Sequence, residues 1–145
     1  MSSSRSQGRR LALQTLYANE VSASPPASVE SLLEMAAPKA PADVLAFARE
    51  IVDGIVAQRE LLDSRINEAL EHWKMDRIHP IERNILRIGL FELTFRADIP
   101  AIVSIHEAVD LAHRFGDADA WRFINGVLDH LGKDRLAAEA SAHPS

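Results

Sequence analysis

Histidine, glutamate and aspartate stand close together in HEAVD, residues 106–110. On a helix His106 and Asp110 share a face one turn apart, and His113 follows nearly a turn on. This spacing can bring side chains to one metal ion. The pattern departs from the H-E-x-x-H zinc motif, because Asp110 stands where the second histidine belongs and no third ligand is marked. Glu107 has other work: SIHE, residues 104–107, reads as a capping box in which Ser104 caps a helix and Glu107 reaches back. His72, His79, His130 and His143 are scattered and read as surface or internally satisfied groups. The chain has no cysteine, which removes disulfides, thiolate zinc sites and cysteine nucleophiles. It also lacks a glycine-rich phosphate loop, a nucleophile elbow and a spaced carboxylate pair. The expectation is a binding protein, not an enzyme, with no catalytic residues, no metal and no cofactor.

Charge is patterned at the start. Arg5, Arg9 and Arg10 precede the first acidic residue, Glu20. The whole chain holds 16 Lys+Arg against 21 Asp+Glu, net −5, and the three arginines stand against a remainder of net −8. Cations at a helix N-terminus oppose the dipole by about 0.3–1 kcal/mol each, and a phosphate would reverse that sign. Two readings stand: a solvated terminus, or a short arm for nucleic acid. On either, alanine at Arg9 and Arg10 leaves stability unchanged or slightly raised. The acidic remainder disfavours a broad duplex-binding face, so a nucleic-acid partner would be a single strand. A second candidate is DADAWRFINGVLD, residues 117–129. With Ile124 facing inward, Arg122 points outward and Trp121 and Phe123 flank the apolar stripe. The two aromatics either widen the core or offer a surface for a partner or a stacked base.

The elements that must position these groups are helical. Of 145 residues, 47% are hydrophobic and only 6% aromatic, with Leu, Ile, Val and Ala dominant, which favours helices over strands. Leu13, Leu16, Tyr17 and Val21 mark a first helix over residues 6–21, broken by SASPPAS. Val29, Leu32, Leu33 and Ala36 mark a short second. Pro41 suits the first turn of a third, striped by Val44, Leu45, Ala48, Ile51, Val52, Ile55 and Val56. Leu62, Ile66, Ala69, Leu70 and Trp73 mark a bend or a fourth helix. HPIERNILRIGLFELTF, residues 79–95, is apolar on two sides (Ile81, Ile85, Ile88 and Phe95; Leu86, Leu90 and Leu93), so it is central. Pro80 takes its first position, Glu82 its first turn, Gly89 allows a neighbour close, and Glu92 is a buried carboxylate with a partner. The helix begun at SIHE ends at Gly116. Asp117 or Asp119 caps a last helix with core residues Ile124, Val127, Leu128 and Leu131, stopped by Gly132. No apolar run approaches the roughly 20 residues that span a bilayer, and no secretory signal is present, so the expected compartment is the cytoplasm, with no membrane partner.

RRLALQTLYANE, IERNILRIGLFEL, DIPAIVSIHEAVDLAHRFG and FINGVLD occur in this order, and together they resemble the NusB transcription antitermination family. The likeness covers nearly the whole chain and is weakest over residues 21–73. It implies an all-α, compact bundle of about seven helices, arranged as two three-helix subdomains packed together. One RNA- and protein-binding domain would cover residues 1–145, with a flexible basic arm over 1–5 and a frayed tail over 136–145. Implied partners are boxA-type single-stranded RNA, the ribosomal protein NusE and the RNA polymerase antitermination complex that reads through ribosomal RNA operons; self-association is also allowed. Residue by residue, the resemblance implies RNA contacts from Arg5, Arg9, Arg10, Arg122 and Phe123, and partner contacts from Tyr17, Glu82, Asp119 and Phe123. Ser6, Gln7 and Gly8 depart from the more basic family pattern. The rival readings are a helical homo-oligomeric interaction module without RNA, and a fragment of the N-terminal domain of a ribosomal RNA cytosine methyltransferase.

Overall fold

The computed structural model describes residues 3–22, 29–71 and 75–142. Every regular element among them is helical, and the chain divides into two compact units, Met1–Gln58 and Arg59–Ser145. Most of SASPPAS, together with His72, Trp73 and His143, lies outside the described residues.

The first unit holds three helices: α1 (Ser4–Val21), α2 (Val29–Ala36) and α3 (Ala42–Ala57). The Ser3 hydroxyl accepts from the Ser6 amide at 3.0 Å and caps α1, so the helix begins two residues earlier than its apolar stripe suggests. The expected flexible arm over residues 1–5 does not hold for residues 3–5. They form the cap and first turn, and the Ser4 hydroxyl also hydrogen-bonds the Asp43 carboxylate at the start of α3. Packing of α1 on α3 depends on Gly8, where a Cβ would meet Phe47 at 2.9 Å and the Val44 carbonyl at 3.2 Å. Leu11, Ala12, Leu13 and Leu16 meet a stripe of Val44, Phe47, Ala48, Ile51, Val52 and Ile55, all buried. The stripe residues Val21 and Val56 end up exposed near helix ends.

The second unit contains α4 (Arg59–Ala69), a 3-10 turn (Met75–Arg77), α5 (Pro80–Phe95), α6 (Ala101–Phe115), α7 (Ala120–Leu131) and α8 (Lys133–Ala142). The central helix is α5, packed against α4, α6 and α7 and buried without a break from Asn84 to Leu93. A Cβ on Gly89 would lie 2.6 Å from Leu128 Cδ1, so the glycine sets the approach of α7. The polar groups buried on α5 are all partnered. Arg87 donates to both Asp63 oxygens at 2.8 and 3.0 Å and to Asn84 at 3.0 Å, and Glu92 accepts from the Ser104 hydroxyl at 2.9 Å.

That last bond overturns the capping box at SIHE. The sixth helix starts at Ala101 behind Pro100, which puts Ser104 inside the helix and facing Glu92. The Ala101 amide donates instead to Glu139 on α8 at 2.8 Å. Residues of the expected frayed tail are helical as far as Ala142, and the expected bundle of about seven helices is seen as eight α-helices among the described residues. Gly132 ends α7, as expected, but the chain turns straight into α8. There the Arg135 guanidinium donates to the carbonyls of Glu92 (3.2 Å), Leu93 (3.1 Å) and Ile99. The Glu92 carbonyl also accepts the Arg96 amide at 3.0 Å, so Arg135 adds a second donor there. At Leu93 and Ile99 it satisfies carbonyls at and beyond the C-terminal end of α5, where a buried one left unmatched is costly.

Candidate nucleic-acid interface

In the first unit two of the leading arginines lie against Phe47. The guanidinium carbons of Arg5 and Arg9 each lie 5.2 Å from the Phe47 ring centroid. Their surroundings differ: Arg5 is exposed, Arg10 half-buried, and Arg9 only 2% exposed. Arg9 is therefore a packing residue, which corrects its expected role as an open phosphate contact. Its place in the second turn of α1 also removes it from the strongest part of the dipole, which acts over the first turn. Tyr17, two turns further along α1, is half-buried.

In the second unit Glu82 and Phe123 come together. With Arg77, Ile78 and His79 they line a pocket of about 290 Å³. Its shape is fixed by backbone-directed hydrogen bonds. The Asn67 side chain accepts from the Met75 amide at 3.1 Å, and Arg83 donates to the carbonyls of Met75 (2.8 Å) and Ile78 (3.1 Å), holding the 3-10 turn. His79 caps α5 through Nδ1, which accepts from the Ile81 amide at 3.2 Å. Glu82 in the first turn is half-buried. Burial pushes its carboxyl above the usual carboxylate range, Asp117 adds like-charge repulsion, and His79 opposes both. A cation in this pocket would relieve the carboxylate.

The outward face of α7 carries the other expected residues. Asp119 stands exposed at the N-cap position without a side-chain capping bond. Arg122 is exposed and lies over the Trp121 indole at 5.2 Å. The indole stacks on His113 of α6 with centroids 5.4 Å apart and planes at 23°. Phe123 and Trp121 are both half-buried, so they edge the core without being sealed in it. His113, considered above only as a metal ligand, is a stacking partner. Among the described residues no group of three His, Cys, Asp or Glu side chains is placed to hold a metal ion, and no helix is long and apolar enough to cross a membrane. Sequence reasoning missed Arg77, Ile78 and Arg83; the His-Pro pair before α5 was the one signal that a shaped turn leads into Glu82.

These features define an all-helical scaffold that presents arginine–aromatic clusters in both of its units. The NusB family model matches residues 6–133, and the chain belongs to that family. It is 40% identical over 130 residues to the transcription antitermination protein NusB of Bdellovibrio bacteriovorus, covering 89% of this chain and 95% of the relative. It is 42% identical over 130 residues to that of Myxococcus xanthus, covering 88% and 93%. Among solved structures, T. maritima NusB superposes with a TM-score of 0.85 at 29% identity, over 99% of this chain and all of the other. A structure of antitermination factors NusB and NusE in complex with dsRNA gives 0.80 at 28% identity, over 92% and 99%.

Proposed function

We propose that this NusB-family antitermination factor binds boxA-type single-stranded RNA in company with the ribosomal protein NusE. It then acts in the cytoplasm within the RNA polymerase antitermination complex to promote read-through of ribosomal RNA operons. The observation that carries the proposal is the meeting of Glu82 and Phe123 in one pocket on the flank of α7, with Arg122 on its crest. The family relationship and the kinship to a NusB–NusE pair solved with dsRNA support it. Arg5, Arg10 and Arg122 supply phosphate contacts, and Phe123 supplies an aromatic contact. Glu82, with Tyr17 and Asp119, meets the basic ribosomal protein, an arrangement in which complementary charge favours encounter and register. The role is one of binding, without chemistry on the RNA.

The test is RNA binding by filter retention or anisotropy, with and without NusE. Binding strengthened by NusE is expected; equal and negligible binding in both arms would overturn the proposal in favour of an interaction module that does not meet RNA. With three phosphates neutralised on a single strand, log K falls against log salt with a slope of about −2.

A further inference from the structure

We infer that the His113–Trp121–Arg122 stack is a second base-stacking subsite that takes one unpaired nucleobase of the RNA, on the flank of α7 away from the Phe123 pocket. The inference rests on the RNA-binding reading above. Successive helix residues turn by about 100°. With Ile124 wholly buried as the inward reference, Phe123 and Trp121 fall on opposite flanks and Arg122 occupies the outward crest between them. The 3-10 turn and α5 build the pocket on the Phe123 flank, while α6 contributes His113 on the Trp121 flank.

Three planar groups thus lie in one cluster, with His113 and Arg122 each against the Trp121 indole and both exposed. Its exposed members are open to a ligand from solvent, as a base-stacking subsite requires. Its chemistry fits a nucleobase: π-faces accept any base in a stack, and a guanidinium lying on an indole still directs donors at a neighbouring phosphate. Of the nearby acids, Asp110 on α6 is paired with Arg114 at 3.0 Å. Asp117 and Asp119 stand exposed before α7, so the affinity of the subsite rests on stacking and on Arg122 to offset their repulsion of phosphate. An RNA crossing the start of α7 would place one base at Phe123, a phosphate at Arg122 and the next base against Trp121 and His113.

The experiment compares wild-type protein with His113→Ala, Trp121→Leu and Trp121→Phe, each with NusE present. The probes are a boxA-type single-stranded RNA and the same RNA carrying single abasic residues. His113→Ala and Trp121→Leu should weaken binding of the intact RNA by roughly 5- to 100-fold, the range of one lost base stack. The salt slope should stay unchanged, because no phosphate contact is removed. Trp121→Phe should retain most of the affinity. One abasic position should weaken wild-type binding while leaving the affinity of Trp121→Leu unaltered. In a Trp73→Phe background, Trp121 fluorescence should be quenched on RNA addition. His113 is exposed, so its variant tests the subsite even if Trp121→Leu fails to fold. Wild-type RNA affinity in both variants, or their loss of NusE binding with RNA affinity intact, overturns the subsite and leaves the RNA-binding reading standing. Absence of RNA binding by the wild type overturns both.

Discussion

Replacing Arg9 with alanine should destabilise the protein, the opposite of what the helix dipole alone implies. The side chain is 2% exposed and its guanidinium carbon lies 5.2 Å from the Phe47 centroid. A desolvated cation–π contact of this kind contributes about 1–2 kcal/mol, and the two methylenes lost beyond Cβ contribute about 1.6 kcal/mol of burial. Against these stands about 1.5–2 kcal/mol of side-chain entropy recovered on truncation. Dipole relief is minor, because Arg9 is beyond the first turn of α1. The net is a loss of about 1–2 kcal/mol, which for a chain of this size lowers Tm by roughly 3–8 °C. Arg5→Ala, at an exposed site in the first turn, should change stability by no more than about 0.5 kcal/mol. Thermal and urea melts followed by helical circular dichroism measure both. An Arg9→Ala protein that melts at or above the wild-type temperature refutes the reasoning, because it would mean that the buried guanidinium contributes nothing to the α1–α3 contact.

Four further substitutions have outcomes set by their local surroundings. Gly89→Ala should cost about 1–2 kcal/mol in a urea melt, since its methyl would sit 2.6 Å from a fully buried Leu128. Gly126→Ala, with nothing within 4 Å, should gain about 0.5–1 kcal/mol from helix propensity. Arg135→Ala should cost about 1–3 kcal/mol and speed amide exchange at the end of α5, because the Leu93 and Ile99 carbonyls lose their donor and the Glu92 carbonyl keeps only the Arg96 amide. Glu82→Gln should leave stability unchanged below about pH 4.5 and raise it relative to wild type as pH increases. The raised native carboxyl pKa, against an ordinary 4.5, gives a contribution that is full below the unfolded value and lost through the folded one. By the same sign, docking of a cation beside Glu82 should release protons, measurable by calorimetry in buffers of different ionisation enthalpy.

Much of this fold is written in apolar spacing. The double stripe of α5 and the Gly89 notch are legible because each reports on a helix and its immediate neighbour, and Leu128 fills the notch as such a neighbour must. The capping box at SIHE misled because a local motif competed with a tertiary one. Pro100 starts the helix earlier, and Glu139, 38 residues downstream, supplies the acceptor that Glu107 was expected to be. The ordering of the tail was hidden for the same reason, since α8 carries no buried residue and is held by Arg135 and Glu139, whose partners are distant in sequence. At the candidate site, Arg122 and Phe123 could be placed from helix phase alone. The 3-10 turn that completes the pocket could not, because it is built from Asn67 and Arg83 hydrogen bonds to backbone atoms and leaves no periodic trace.

The charge distribution then explains why aromatic contacts and a companion protein matter to the proposed role. With Arg9 assigned to packing, the cations proposed to meet RNA are Arg5, Arg10 and Arg122, on a chain of net −5. Three phosphate contacts give a shallow salt dependence and, with an acidic remainder repelling the rest of the strand, little affinity from charge alone. Stacking is indifferent to that repulsion, which is why the aromatics beside Arg122 carry weight out of proportion to their number. On that proposal, the same acidity that would weaken RNA binding favours a basic ribosomal protein, and such a protein would bring its own cations to the strand. In the proposed role, the negative remainder and the few positive contacts are therefore complementary parts of one arrangement: the chain would select a cationic partner, and RNA would bind to the pair more tightly than to the chain alone.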